Sequence, residues 1–283
     1  MKVSLYLNDY FVKYNAAQKS KDEVSNLKIG YVEGVYNPDD LFILRGEPTY
    51  RDDLHKIFKI FKNKNYILTT QGFDVDKLIS YEDTIPYISF HWDGFFNDTI
   101  KASPGLTYNM IRCLEALKHK KTIFRISYTI NPFNSDSLDA DIAIMRKLLS
   151  SYPNMKQPYF MLYQSGTYYS QDKQTWTYFA PHQAAKLNAA GLLTQKNLQY
   201  LTRWLKREPY FCTSIKDEAV VMPDATLRVC QSFQLSNALG WLNDKNLKQI
   251  MESSEDTFNN LRKCPFREQC WLAYNYKENK RSE

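Results

Sequence analysis

The sequence predicts an α/β fold. A parallel sheet carries helices on its outer side, curves into a partial (β/α)6 TIM-like barrel, and is followed by a small cysteine-containing module. Two observations carry the barrel. Short apolar runs alternate with amphipathic helix patterns over residues 1–165. Three of these runs close on Gly-containing turns, Arg45-Gly46-Glu47-Pro48, Gln71-Gly72 and His91-Trp92-Asp93-Gly94. A third observation carries the module: four of the five cysteines, Cys212, Cys230, Cys264 and Cys270, fall in the last part of the chain. The expected division is a barrel over 1–181, then connector helices and the module over 182–283.

The elements follow in order. A strand is expected at 2–8 and a second at 40–44. A helix over 50–63 has Leu54, Ile57, Phe58 and Phe61 at helical spacing. A strand at 66–70 leads to a short helix at 74–81 and a strand at 87–90. Ser103-Pro104 reads as an N-cap followed by Pro at the first helical position. That helix runs to Lys118 with Tyr108, Ile111, Leu114 and Leu117 on one face, and the lone Cys113 reads as a core residue. A strand at 122–130, a helix at 137–150 and a strand near 158–164 complete six strands, which crossovers of this length make parallel. Ligands of such sheets bind at the carboxyl ends of the strands, where the three turns lie. A helical connector over 182–207, interrupted near Gly191, leads to a hairpin turning on Pro223-Asp224-Ala225. Short helices at 244–252 and 255–262 precede Cys264.

Composition narrows the function classes. The chain has 283 residues, long enough for a barrel and a small module. A formal charge of +6 is mild for that length and does not by itself imply nucleic acid. No apolar run has the length that spans a bilayer. The start, Met1-Lys2-Val3-Ser4-Leu5, is a strand pattern and not a signal peptide, so a cytoplasmic protein without membrane contact is expected. None of the four His sits at metal spacing with another His or Cys. His91 and Asp93 at a strand end form a possible acid/base pair; the alternative is an Asp that stabilises its turn. Trp92, Phe95, Phe96, Tyr168, Tyr169, Trp176 and Tyr178 are candidates for a peptide or base-stacking groove, or else for core and rim.

The order of the turns resembles the radical SAM enzymes of the SPASM group. In that family a first strand leads to a Cys-x3-Cys-x2-Cys loop. Strands then end in Gly-Gly-Glu-Pro, in a Thr-Asn-Gly turn and in an Asp-Gly turn. Here Arg45-Gly46-Glu47-Pro48, Thr70-Gln71-Gly72 and His91-Trp92-Asp93-Gly94 stand in that order. The module adds to the likeness. Its family pattern is Cys-x(9–15)-Gly-x4-Cys, then Cys-x2-Cys-x5-Cys-x3-Cys and a last Cys. Cys212, Ala225 and Cys230 follow the first part with Ala in place of Gly. Leu239-Gly240-Trp241-Leu242 is similar to the step after it, and Cys264 and Cys270 keep the x5 spacing. Leu261 and Tyr274 replace two expected cysteines.

The departures set the expectations. The family's [4Fe–4S] cluster needs three thiolates in one loop. The matching positions hold Tyr10, Tyr14 and Ala17, or Phe11, Asn15 and Gln18, and the first cysteine of the chain is Cys113. The resemblance therefore implies a catalytically degenerate member that lacks the radical site and acts by binding. Its expected role is peptide recognition, or an accessory subunit in a peptide or protein modification pathway, paired with an active maturase. Gly46, Glu47, Pro48 and Asp93 are vestigial SAM-site candidates, Glu47 standing where the family contacts the SAM amino group; SAM itself is not an expected ligand. Cys212, Cys230, Cys264 and Cys270 would supply only two ligands to each of the family's two auxiliary clusters. They read as two pairs of thiols, with a single zinc or one iron–sulfur cluster as the open alternative. Two other functions remain open: an enzyme with a repurposed barrel mouth for a small molecule, including non-radical SAM binding, and a nucleic-acid-associated regulatory factor.

Overall fold

The computed structural model describes residues 2–7, 11–13, 16–18, 29–30, 40–130, 134, 136–162, 182–195, 198–199, 202, 218–228 and 240–241. Nine of the described strands form one sheet, in the order β11-β10-β9-β1-β4-β5-β6-β7-β8. The six strands expected from the sequence are β1 (Lys2–Tyr6), β4 (Leu41–Arg45), β5 (Asn65–Thr70), β6 (Tyr87–Trp92), β7 (Ile123–Ile130) and β8 (Tyr159–Leu162). All are parallel and adjacent in chain order. Between β1 and β4 the chain forms a small antiparallel hairpin, β2 (Phe11–Lys13) with β3 (Ala16–Gln18), which the sequence pattern had not suggested.

Helices α1 (Leu54–Ile60), α2 (Val75–Ser80), α3 (Asn97–Ile100), α4 (Leu106–Ala116) and α5 (Leu138–Ser151) connect these strands. Their apolar faces meet one face of the sheet. Val3, Leu5, Phe42, Leu44, Leu68, Ile88, Phe90, Phe124, Ile126 and Phe160 are buried in a single core with Leu54, Ile57, Met110, Cys113 and Met145. Each such side chain contributes roughly 1.5–3 kcal/mol by leaving water. Cys113 is thus the core residue its position predicts, and burial pushes its thiol up to about 12. Tyr108 is not on the buried face; it is 68% exposed, with the Arg112 guanidinium over its ring.

The start of α4 also differs from expectation. Ser103-Pro104 does not cap it. Gly105 is the N-cap, at φ +90°. Asp98, in α3, accepts from the Gly105 and Thr107 amides at 2.7 and 2.9 Å and from the Thr107 hydroxyl at 2.8 Å. A carboxylate reaching across from the preceding turn satisfies the free amides that a local Ser would otherwise take.

On β6 and β7 the opposite, concave face of the sheet is polar, while Ile43 of β4 and Ile67 of β5 stand on it farther along. Strands alternate side chains, so Ser89 and His91 of β6 lie on that face with Arg125, Ser127 and Thr129 of β7. Ser89 and Ser127 share a hydroxyl hydrogen bond at 2.8 Å, and His91 Nε2 lies 2.7 Å from Thr129 Oγ1. Parallel strands buried on both faces are usually continuously apolar. Here the alternation turns polar side chains of β6 and β7 toward the lumen of the partial barrel, where Ser89 and Thr129 are nonetheless buried.

The later segment joins the same sheet. A helix over 182–189 ends at Gly191, φ +69°. Strand β9 (Glu218–Val221) then pairs in parallel with β1, and β10 (Thr226–Arg228) turns back on it. The hairpin is the one the Pro-Asp turn predicts, and β11 (Gly240–Trp241) extends it. Val220 and Met222 form a small second cluster with Tyr6. Ala225, where the resemblance expects Gly, has φ +64°. Only glycine adopts that region at no steric cost, so Ala225→Gly is expected to stabilise the fold by about 1 kcal/mol, read as a higher urea midpoint.

Candidate functional site

The carboxyl ends of β4 to β7 bring together the residues singled out by sequence. After β4, Gly46 takes φ +85° and turns the chain into a 3-10 turn, Pro48–Tyr50. This turn buries Glu47 completely. Its Oε1 accepts from the Thr49 and Thr70 hydroxyls at 2.7 and 2.6 Å, and its Oε2 accepts from the Gln71 amide at 2.7 Å. Burial raises the Glu47 pKa despite these donors. Pro48 is buried beside it at the first position of the turn.

Arg51, also buried, holds the end of β1 to this turn. It donates to the Leu7 carbonyl at 2.9 Å and grips Asp53 with two bonds of 2.9 and 3.0 Å. Lys77 closes the turn from α2, donating to the Thr49 and Arg51 carbonyls at 2.8 and 3.1 Å.

At the end of β6, Asp93 is buried at the centre of a second group. Its Oδ2 lies 3.6 Å from Lys101 Nζ and its Oδ1 3.5 Å from His91 Nε2. Its amide donates to Asn97 Oδ1 at 3.0 Å, and Asn134 Nδ2 donates to its carbonyl at 3.3 Å. Burial opposes the charge on Asp93, but Lys101 and His91 outweigh it and the pKa is lowered. Lys101 sits just past α3, fully buried, and donates to the His91 carbonyl. Burial lowers its pKa, while Asp93, Glu47 and Asp98 act in the opposite direction. A lysine thus lies beside Asp93 and within the field of Glu47, and sequence reasoning had not selected it.

A third buried carboxylate supports the turn. Asp141 of α5 accepts from Tyr128 Oη at 2.7 Å, Ser137 Oγ at 3.1 Å and the Phe95 amide at 2.5 Å. Gly94, at φ +88°, passes directly over it. Of the proposed aromatic groove, Trp92 is buried against Tyr128, while Phe95 and Phe96 are exposed. Tyr168, Tyr169, Trp176 and Tyr178 lie outside the described residues, as do Cys212, Cys230, Cys264 and Cys270. Among the described residues no three His, Cys, Asp or Glu converge to hold a metal.

The Glu47 carboxyl yields a pH prediction. A carboxyl whose folded pKa is raised contributes stability that is full below its unfolded value and is lost as pH rises through the folded value. The wild type should therefore lose this contribution as pH rises from about 4.5, the ordinary value, through the raised folded value. Glu47→Gln, which can keep one acceptor toward Gln71 and one donor toward Thr70, should lack that loss. Urea midpoints of the two proteins across this window check it; parallel curves would contradict it.

This architecture has counterparts among solved structures. The structure of native anSMEcpe with bound AdoMet, an anaerobic sulfatase-maturating radical SAM enzyme of SPASM type, superposes with a TM-score of 0.60 at 16% identity, over 95% of this chain and 88% of that one. Its complexes with AdoMet and the Cp18Cys or Kp18Cys peptide superpose with a TM-score of 0.59 over the same shares, also at 16% identity. No protein-family profile and no curated protein sequence matches the chain. At this identity the likeness shows the fold, a radical SAM/SPASM-like partial barrel, and the residues must speak for the chemistry.

They do not fit a radical cluster. The connection from β1 to β4 carries the cluster thiolates in the resembled family, and residues 7–40 contain no cysteine. The donor set there is phenol, amide, carboxylate and amine, which do not replace three soft thiolates. The Glu47 position is also engaged. Both of its oxygens already accept from protein donors, so a ligand ammonium would have to displace one of them.

Proposed function

We propose that this chain is a catalytically degenerate protein of the radical SAM/SPASM type that acts by binding, recognising a peptide or serving as an accessory subunit in a peptide or protein modification pathway. The observation that carries the reading is a contrast. The strand-end turns persist, with Glu47, Gly72, Asp93 and Gly94 in ordered networks. The β1–β4 connection between them has no thiol. Polar side chains of β6 and β7, His91 the more exposed among them, line the face on which a ligand is expected. Peptide complexes of the neighbour anSMEcpe support the choice of ligand class.

The competing reading is an enzyme using Glu47 and Asp93 on a small molecule. Glu47 commits its oxygens to hydrogen bonds with Thr49, Thr70 and Gln71, and Asp93 faces Lys101 and His91, which favours turn-building over chemistry. Affinity capture with the full chain, followed by identification of bound peptides and proteins, tests the proposal. A reproducible peptide or maturase partner is expected; recovery of neither counts against it.

A further inference from the structure

Two arginines, Arg45 and Arg125, stand on the concave face, and Arg45 already donates to Ser4 Oγ at 3.0 Å. Arg125 is the third residue of β7, on the same face as Ser127 and Thr129. It lies about 13 Å below Thr129 at the usual strand rise, toward the floor of the lumen. Its guanidinium stands over the rings of Tyr87 and Tyr159, at 5.3 and 5.2 Å. Tyr87 opens β6 and Tyr159 opens β8, so the guanidinium lies beside the first residues of the two flanking strands. Among the described residues no carboxylate pairs with it, and its buried Nε has no hydrogen-bond acceptor. A guanidinium is always charged and carries five donors in a planar fork. Its buried Nε, left without an acceptor, costs free energy unless a partner arrives. Two aromatic faces offset part of the charge but accept none of its in-plane hydrogen bonds.

We infer that Arg125 is the anion-recognising group of the lumen and that it takes a carboxylate. One guanidinium offers the bidentate geometry a carboxylate fits. Ser89 and Ser127, which bond to each other just above it, add hydroxyls on the same side. No phosphate-cradling Gly-rich loop occurs in the chain, and no lysine accompanies Arg125 on the described stretch of β7, so a phosphate would be poorly served. The carboxylate belongs to a peptide C-terminus or to an acidic side chain. This deepens the proposed binding role and rests on it only in treating the lumen as the ligand-receiving face.

The test uses the full chain and four probes read by ligand-observed NMR. They are N-acetylalanine with a free carboxylate, N-acetylglutamate N-methylamide, its neutral glutamine analogue, and inorganic phosphate. At least one carboxylate probe is expected to bind, with the glutamine analogue and phosphate weaker. Arg125→Gln should weaken the carboxylate probe by about tenfold or more, as loss of a charge-assisted pair does. Which carboxylate binds better separates a chain terminus from a side chain. Arg125→Lys should recover part of the binding, and both variants should stay folded, with the thermal midpoint in ligand-free buffer lowered by no more than the loss of the two ring contacts. Equal binding of the glutamine analogue, tighter binding of phosphate, no binding of either carboxylate at millimolar concentration, or no effect of Arg125→Gln would each overturn the assignment. A partner captured equally well by wild type and Arg125→Gln would sink the anion site and leave the binding role. Carboxylate binding through Arg125 with no captured partner would do the reverse.

Discussion

Gly94→Ala is expected to be the most damaging single-methyl change among the described turns. A Cβ at Gly94 would lie 2.1 Å from Asp141 Oδ2 and 2.7 Å from its Cγ. Asp141 cannot retreat cheaply, because Tyr128, Ser137 and the Phe95 amide all hold it. The new methyl must also accept φ +88°, which L side chains rarely adopt. Overpacking, left-handed strain and a broken buried network act together, so a loss of about 3–5 kcal/mol is expected. A urea or thermal titration would read it as a large fall in midpoint or as insoluble protein. A midpoint within about 1 kcal/mol of wild type would show that α5 is free to shift away.

Lys101→Met should cost nearly as much, for a different reason. It removes the ammonium beside Asp93 and leaves a buried carboxylate with the His91 ring as its remaining close neighbour. Breaking one side of a buried pair costs about 3–5 kcal/mol. The sign with pH is specific. In the wild type the folded Asp93 pKa is lowered, so its contribution is present above the ordinary value of 3.8 and is lost as pH falls through the folded value. In the variant burial acts without Lys101, so the carboxyl is pushed upward and the penalty shrinks as pH falls. Asp93→Asn placed on Lys101→Met should recover much of the neutral-pH loss. Additive losses in the double variant would contradict the pairing.

The barrel was legible because it is written locally. Strand runs of period two, helices of period three to four, and glycines at the strand ends lie within a few residues of one another. Strands β1 and β4 to β8 follow from these signals. The charged network was not legible in the same way. Lys101 looks like a surface residue in sequence, and only the turn after β6 folds it under His91. Asp98 was missed as the cap of α4 because Ser103-Pro104 is the stronger local signal. Asp141 meets Gly94 across 47 residues, a distance that periodicity does not see.

One signal in the sequence could have found the lumen. Ser89, His91, Arg125, Ser127 and Thr129 recur at every second position in strands whose other face is fully apolar. In a parallel sheet that alternation marks a face not packed by helices. The β2–β3 hairpin, in contrast, gives little notice: three-residue strands carry too short a pattern to separate from a loop.

The proposed function requires a fold kept without the radical chemistry of its structural neighbours. The most direct measurement is anaerobic reconstitution of the full chain with iron and sulfide, followed by metal and sulfide analysis and an assay for reductive SAM cleavage to deoxyadenosine. The account predicts no reductive cleavage, and at most one bound zinc or one cluster, held by the C-terminal cysteines. Iron beyond a single cluster, or deoxyadenosine formed with turnover, would contradict it.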